Sequence, residues 1–282
     1  MNPFGNPLPN RSRKGSAHHH TITVQMKRLF VLAYSAAAYL LFLAVSAWTI
    51  AWLVDVRLQG LPAETIDGAA TVTPVVAIAV DLLLILGFGL QHSVMARPGF
   101  KRWWTQWVPP EVERSTYVLL ASGFLLLLCM AWQPLPTVVW QVSGLATWGL
   151  WILCALGWAI TVLASFEIDH FELFGLRQAW HEVVGSSRGE AQFAERWLYR
   201  WVRHPIMLGF MIAFWVTPRM TVGHLLFTVA MTVYVLIALR YEERDLVREL
   251  GACYLSYQAR VPKLVPGPRW RKSRASLRRD EG

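Results

Sequence analysis

Three groups of polar side chains lie at the ends of apolar segments of this 282-residue chain. Such groups stand out because burying polar side chains in a membrane is costly. The first group is Gln91-His92-Ser93, the second runs over residues 167–178, and the third joins Arg203-His204-Pro205 to Glu242-Glu243-Arg244-Asp245. Imidazole, guanidinium and carboxylate groups exchange protons or bind charged ligands. The sequence therefore predicts a binding or catalytic site among these residues.

The same residues also have structural explanations. Arg203 can anchor a helix end at the membrane surface, and Pro205 suits the first turn of a helix. The acidic residues at 242–245 can pair with neighbouring arginines. A single histidine such as His92 often only meets the membrane interface. The residue types alone leave both interpretations open.

The elements that must position these groups are apolar segments. A span needs roughly 20 residues to cross about 30 Å of hydrocarbon. Four segments fit this length, at residues 29–54, 72–94, 115–132 and 145–166. A fifth apolar region is interrupted at Thr217-Pro218-Arg219, and proline disfavours helix at the residue before it. This region predicts a helical hairpin with legs at 205–217 and 221–239. The predicted fold is all-α, a polytopic membrane protein with four spanning helices plus a C-terminal helical hairpin.

A hairpin returns its ends to one side, so Arg203 and Glu242 are predicted to be neighbours. Of the 27 Lys and Arg residues, all but Arg57 and Arg219 fall in segments that this topology places on one side. Lys and Arg in short loops mark the cytoplasmic side. We therefore expect both termini and all three polar groups on the cytoplasmic side of the inner membrane.

Composition excludes several classes of protein. Hydrophobic residues make up 55% and charged residues 16%, which favours a membrane protein over a soluble domain. The net charge of +9 does not indicate nucleic-acid binding, because the basic residues lie between and beyond apolar segments. Cys129, Cys154 and Cys253 form no disulfide or zinc pattern. We expect no metal site, and His18-His19-His20 is interpreted as incidental.

The ends of the chain differ from its apolar middle. Residues 1–28 are predicted as a disordered basic leader, residues 29–265 as a single helical membrane domain, and residues 266–282 as a basic cytoplasmic tail. Anionic lipid head groups are the expected partner of that tail.

Several motifs resemble a known superfamily. The run from Arg203 to Gly209, RHPIMLG, resembles the RHPxYxG signature of the isoprenylcysteine carboxyl methyltransferases, with Met207 in place of the tyrosine. Glu242-Glu243 and the segment to Pro266 resemble the C-terminal half of that superfamily. Further similarity to its nurim-like branch, specifically the bacterial methanethiol S-methyltransferases, is carried by residues 91–98, 108–117 and 170–178.

This resemblance implies transfer of a methyl group from S-adenosylmethionine to methanethiol, giving dimethyl sulfide. It implies a set of residues in contact with the cofactor: Arg203, His204, Gly209, Glu242 and Glu243. The planar guanidinium of Arg203 suits the cofactor's carboxylate. A glutamate suits its amino group or ribose hydroxyls.

The acceptor side follows from the same resemblance. The residues expected to line the thiol site are Gln91, His92 and Met207. Because a thiolate is the nucleophile, the reaction needs a base, and His170, His92 and His204 are candidates between which the sequence does not choose. A small volatile thiol and its thioether can enter and leave through lipid.

Two other functions remain open at this stage. One is a sterol-type membrane reductase that uses NADPH and has a related arginine–histidine–proline hairpin. The other is a non-catalytic nurim-like membrane protein, which would bind no cofactor.

Overall fold

The computed structural model describes residues 11–57, 65–185 and 196–266, with side chains from Val24 onward. Within these ranges the chain is mostly helical. The helices are α1 (Arg11–Leu53), α2 (Pro74–Met95), α3 (Pro98–Trp104), α4 (Glu113–Ala131), α5 (Leu145–Ile168), α6 (His170–Leu173), α7 (Leu176–Val184), α8 (Pro205–Trp215), α9 (Val222–Leu250) and α10 (Ala252–Arg260). The remaining elements are the strands β1 (Val138–Gln141) and β2 (Arg219–Thr221) and a 3-10 turn at Leu198–Arg200.

Five of these helices are long and apolar enough to cross a membrane: α1 from Val24, α2, α4, α5 and α9. The 11 residues of α8 rise only about 16 Å, too little to cross alone. The structure thus confirms a mostly helical chain with several membrane-length helices. The number of helices that cross, and the side on which the termini lie, stay predictions.

The predicted hairpin is present, with a longer second leg. Helix α8 ends at Trp215, β2 follows, and α9 begins at Val222. The Thr221 hydroxyl caps α9 by accepting from the His224 backbone N–H at 3.2 Å. Residues 240–250 are also helical despite their charge, so α9 continues to Leu250. The second leg therefore extends well past the predicted end at residue 239.

The all-α prediction omitted one small sheet. Strands β1 and β2 pair antiparallel, with Val138 opposite Thr221 and Gln141 opposite Arg219. They join the loop before α5 to the turn between α8 and α9. This sheet ties the hairpin to the rest of the bundle at one end.

The predicted leader and tail lie mostly outside the described residues. Helix α1 begins at Arg11, inside the segment predicted as the leader, while residues 1–10 and the side chains of His18-His19-His20 are not described. Nothing after Pro266 is described. The domain boundaries and the lipid contacts of the tail therefore stay predictions.

The order of the helices gives the bundle two different ends. Helices α2, α5 and α9 end, and α4 and α8 begin, at what we call the site end. At the opposite end, the rings of Trp52, Trp132 and Phe227 pack edge to face with centroids 5.5–5.9 Å apart. This aromatic core is fully buried. The site end is where the predicted polar groups lie.

Helices α5 and α8 pack closely through two glycines. A Cβ atom added at Gly209 would lie 2.5 Å from the Gly157 carbonyl oxygen and would overlap the Thr161 side chain. The Thr161 hydroxyl donates to the Ile206 carbonyl at 3.2 Å, across the same crossing. Small residues of this kind let helix backbones approach in membranes. Gly209 therefore has a packing role against α5, and its contact with the cofactor stays a prediction.

This packing predicts that Gly209→Ala destabilises the protein by about 1–3 kcal/mol, the usual cost of overpacking. Gly123→Ala on α4 is the control, since an added Cβ there meets no atom within 4 Å. Thermal unfolding in detergent, followed by tryptophan fluorescence, measures both. Equal stability of the two variants would contradict the packing role. If Gly209→Ala instead loses cofactor binding at unchanged stability, the result would support contact of Gly209 with the cofactor.

Candidate active site

Arg203 lies at the centre of an ion-pair network at the site end. Its Nε and Nη2 atoms lie 2.8 and 2.7 Å from Glu243 Oε1. Its Nη1 donates to the backbone carbonyls of Gln258 and Val261 at 3.0 and 2.6 Å. The backbone N–H of Arg203 also donates to the Pro262 carbonyl at 2.9 Å. Arg203 thus ties the start of α8 to α9 and to the segment after α10.

Glu243 is the carboxylate that this network neutralises. Besides Arg203, it accepts from Lys263 Nζ at 2.7 Å and lies 3.1 Å from His204 Nε2. Because a carboxylate only accepts, His204 carries its proton on Nε2 in this contact. Glu243 and Arg203 are both only 10% exposed. The pair is therefore largely shielded from solvent, and the contact of either residue with a cofactor stays a prediction.

Glu242 has a different environment from its neighbour. Its side chain is 50% exposed, and among the described residues one of its oxygens lies 3.9 Å from His204 Nδ1. Its charge also acts on the phenol groups of Tyr199 and Tyr254. An accessible carboxylate of this kind suits a cationic ligand.

Both of these tyrosines lie outside the membrane-length helices, Tyr199 in the 3-10 turn and Tyr254 in α10. Burial raises the pKa of Tyr254 to about 12, and the charges of Glu243 and Glu242 act in the same direction. Burial, with Glu167 and Glu242, raises the pKa of Tyr199 above its usual range. Both phenols therefore stay protonated at neutral pH, and the Tyr199 hydroxyl donates to the Ala164 carbonyl at 3.4 Å.

The Gln91-His92-Ser93 group contacts α9, the helix that carries Glu242. The His92 ring stacks on Phe88 and is tilted against Tyr117, with centroids 5.5 and 5.3 Å away. Ser93 Oγ donates to the Tyr234 hydroxyl at 3.1 Å. The first predicted group thus contacts α9, whose C-terminal part carries the acidic residues of the third group, Glu242 to Asp245.

Two buried polar atoms of this group have no hydrogen-bond partner in the described part of the chain. They are His92 Nδ1 and Gln91 Oε1. Buried polar atoms without partners are rare and call for an explanation such as a ligand. His92 is therefore the candidate base with a free, buried ring nitrogen.

His170 is held in a separate aromatic box. The Ser165 hydroxyl donates to the Val162 carbonyl, so it accepts from His170 Nδ1 at 2.8 Å. Nε2 is then the acceptor for the Tyr39 hydroxyl, also at 2.8 Å. The ring stacks on Phe166 with centroids 4.1 Å apart. Burial lowers the pKa of His170, which keeps it neutral.

Both nitrogens of His170 are therefore occupied by protein partners. The second predicted group does not join the Glu242 cluster through this histidine. His170 instead connects α1 to the end of α5 through Tyr39. Its role as the base stays a prediction that these contacts do not favour.

The ends of α2 and α9 are fixed to each other by an ion pair. Arg97 Nη1 lies 2.8 Å from Asp245 Oδ2, and its guanidinium lies over the Tyr241 ring, 5.2 Å from the centroid. At the start of α4, Arg114 lies over the Tyr117 ring and donates to the Leu173 carbonyl. The first of these contacts holds the end of α2, which carries His92, against the part of α9 that carries Glu242.

Tyr234 and Lys263 were not predicted as site residues from the sequence, whereas Met207 was predicted to contact the substrate. Met207 packs on an apolar cluster of Val235, Leu239 and Leu264, to which Tyr234 also belongs. Tyr234 was missed because one tyrosine in an apolar helix is typical of a core. Lys263 was missed because nothing in its spacing indicates that it returns to α9. The contact of Met207 with a substrate stays a prediction.

Known proteins similar to this chain were identified by comparison. It is 50% identical over 244 residues to the methanethiol S-methyltransferase of Mycobacterium tuberculosis, covering 86% of this chain and 98% of that protein. It is 44% identical over 272 residues to the methanethiol S-methyltransferase of a Pseudomonas species, covering 94% and 97%. Similarity to nurim of Danio rerio is lower, 32% over 195 residues. No protein-family model and no solved structure matches the chain.

Proposed function

This chain belongs to the methanethiol S-methyltransferases, and we propose that it methylates methanethiol with S-adenosylmethionine at the site around Glu242. The accessible Glu242 carboxylate, adjacent to the buried Arg203–Glu243 pair, is the observation that carries this proposal. S-adenosylmethionine carries a sulfonium cation, which a carboxylate attracts.

The residues present fit this cofactor with a change in the expected roles. Glu242 is free to attract the sulfonium or the amino group, whereas Glu243 is neutralised by Arg203 and Lys263. Arg203 has its donors directed to protein acceptors, so it positions the site instead of gripping the cofactor's carboxylate. When bound, the cofactor supplies the methyl group.

In this proposal the acceptor thiol binds beside His92. Nδ1 of His92 accepts the thiol proton, which leaves a thiolate to attack the methyl carbon. His204 is less suited, since its Nε2 donates to Glu243 and its Nδ1 faces Glu242. Thiolate and sulfonium lose their charges as they react, so a water-poor pocket at a membrane boundary speeds the step.

The cell location follows from the charge distribution in the sequence. We propose that the chain lies in the inner membrane with the site end facing the cytoplasm, because nearly all Lys and Arg residues lie in segments at that end.

Ligand-dependent thermal stability tests the cofactor. S-adenosylmethionine should raise the unfolding temperature of the protein in detergent, since it binds the folded state. NADPH should not. Headspace detection of dimethyl sulfide after adding methanethiol then tests the acceptor. A response to NADPH alone would favour the reductase, and no response to either would favour the non-catalytic alternative.

Replacing the accessible carboxylate should weaken cofactor binding selectively. We expect Glu242→Gln to weaken S-adenosylmethionine binding about 10- to 100-fold, because a hydrogen bond to a charged group contributes about 1.5–3 kcal/mol. Glu249→Gln, at an exposed carboxylate two turns further along α9, is the matched control. Titration calorimetry measures both. Equal affinities of the two variants would contradict the proposed site.

A further inference from the structure

A second charged feature lies at the site end, in a cavity whose lining does not include Glu242 or His92. The cavity has a volume of about 470 Å³ and is lined by residues of α9 and of the segment around Lys263: Arg240, Glu243, Arg244, Val247, Arg248, Gln258 and Lys263. We call it the arginine groove. Glu242 is not part of its lining, which separates it from the proposed cofactor site.

The lining is strongly cationic. Arg240, Arg244 and Arg248 are four residues apart, so they form one exposed row along α9. Lys263 faces them from the far wall. The one lining carboxylate, Glu243, is already bound by Arg203 and Lys263 at 2.7 Å each. The groove therefore keeps an excess of positive charge.

The row also has unused capacity for a ligand. Arg240 has no ion pair or hydrogen bond in the described part of the chain. Arg244 lies 5.7 Å from the centroid of the Tyr241 ring. Arg248 lies 3.3 Å from Asp245, which also pairs with Arg97. Guanidinium groups bind phosphate oxygens through paired N–H donors. The groove thus matches a phosphate group better than a carboxylate of the protein.

The position of the row along α9 identifies the source of that phosphate. Arg219 precedes α9, so the hydrocarbon region begins near Val222. About 20 residues cross it, which brings its other boundary close to Tyr241. At 1.5 Å per residue, Arg244 and Arg248 then lie about 5 and about 10 Å beyond the hydrocarbon. That is the depth of lipid head groups.

We propose that the arginine groove binds the head group of an anionic phospholipid. Its phosphate lies between Arg240 and Arg244, with Lys263 closing the other side. Val247 offers an apolar wall to the lipid's glycerol region. Because Lys263 also binds Glu243, a lipid here would brace the segment after α10 against α9.

Binding of defined lipids to the full chain tests this proposal. Detergent-solubilised protein is titrated with short-chain phosphatidylglycerol or phosphatidylcholine, and retention is followed by native mass spectrometry. Phosphatidylglycerol should bind preferentially. Arg240→Gln and Arg244→Gln should each weaken it about fivefold, since one basic side chain near an anionic surface contributes about that factor. Arg102→Gln, at an exposed arginine of α3 outside the groove, is the matched control.

Three outcomes would overturn the proposal. The first is equal retention of the two lipids by the unaltered protein. The second is the same loss of phosphatidylglycerol in Arg102→Gln as in the groove variants, which would indicate general surface charge. The third is competition by inorganic phosphate at the lipid's own concentration, which would indicate a site for free anions. The thermal midpoint of each variant shows that it remains folded.

Discussion

Replacing His92 by phenylalanine is expected to slow methyl transfer about 100- to 10,000-fold at neutral pH, the usual contribution of a general base. Phenylalanine keeps the ring that packs between Phe88 and Tyr117 but removes the buried, unpartnered Nδ1. Binding of S-adenosylmethionine should be unchanged, because Glu242 is untouched. Single-turnover formation of dimethyl sulfide measures the chemical step directly.

The pH dependence of this variant separates loss of a base from loss of structure. A thiol ionises by itself as the pH rises, so the rate of His92→Phe should climb with pH toward that of the unaltered enzyme. A structural defect would lower the rate by the same factor at every pH. The measurement is the ratio of the two rates between neutral and alkaline pH.

His170→Phe is the comparison that can reverse the assignment. Both ring nitrogens of His170 already bind protein groups, Ser165 and Tyr39. This variant should therefore lose stability but keep its turnover per folded molecule. A loss of turnover in His170→Phe that alkaline pH restores, with normal turnover in His92→Phe, would make His170 the base.

The hairpin was predictable because its signals are local. The break at Thr217-Pro218-Arg219 needs only the conformational restriction before proline and the charge of Arg219. Once the chain turns there, Arg203 and the pair Glu242-Glu243 must lie at the same end. The structure confirms that these residues converge, since Arg203 Nη2 lies 2.7 Å from Glu243 Oε1.

The separate environments of Glu242 and Glu243 were not predictable from the sequence. Adjacent residues of a helix point about 100° apart, so the rotation of α9 decides which one faces Arg203. That rotation depends on the packing of the whole bundle and on Lys263, which returns from a distant segment. The same limit hid Tyr234, whose ring lies over Gly89 of α2.

The small sheet was missed for a related reason. Strands of four and three residues are too short to show an alternating pattern. Pairing of β1 with β2 depends on the distance between the loops that carry them, which only the assembled helices determine. Sequence reasoning was therefore reliable for long apolar helices and weak for contacts between distant segments.

Removing Arg203 is expected to reduce the free energy of unfolding by about 3–5 kcal/mol, since it removes a buried ion pair and leaves two backbone carbonyls without their donor. Arg203→Met leaves Glu243 with Lys263 and His204 but frees the carbonyls of Gln258 and Val261. The segment after α10 should loosen from α8. Denaturant unfolding in mixed micelles measures the change.

Two further variants show whether the effect comes from the ion pair. Arg219→Met breaks the exposed Arg219–Asp55 pair at the opposite end, and such surface pairs contribute less than about 1 kcal/mol. Combining Arg203→Met with Glu243→Gln should cost less than the sum of the two single losses, because either single variant already removes the Arg203–Glu243 contact. Additive losses in the double variant would contradict an energetic coupling between Arg203 and Glu243.

The same variant decides between the two roles of Arg203. If the guanidinium positions the site, Arg203→Met should weaken S-adenosylmethionine binding only in step with its loss of stability, and conditions that restore folding should restore binding. If the guanidinium grips the cofactor's carboxylate, as the family resemblance implies, binding should be lost in a fully folded protein. An analogue of the cofactor without the carboxylate separates the cases further. In the positioning role Arg203→Met changes the affinities of cofactor and analogue by the same factor, whereas in the gripping role only the affinity for the intact cofactor falls.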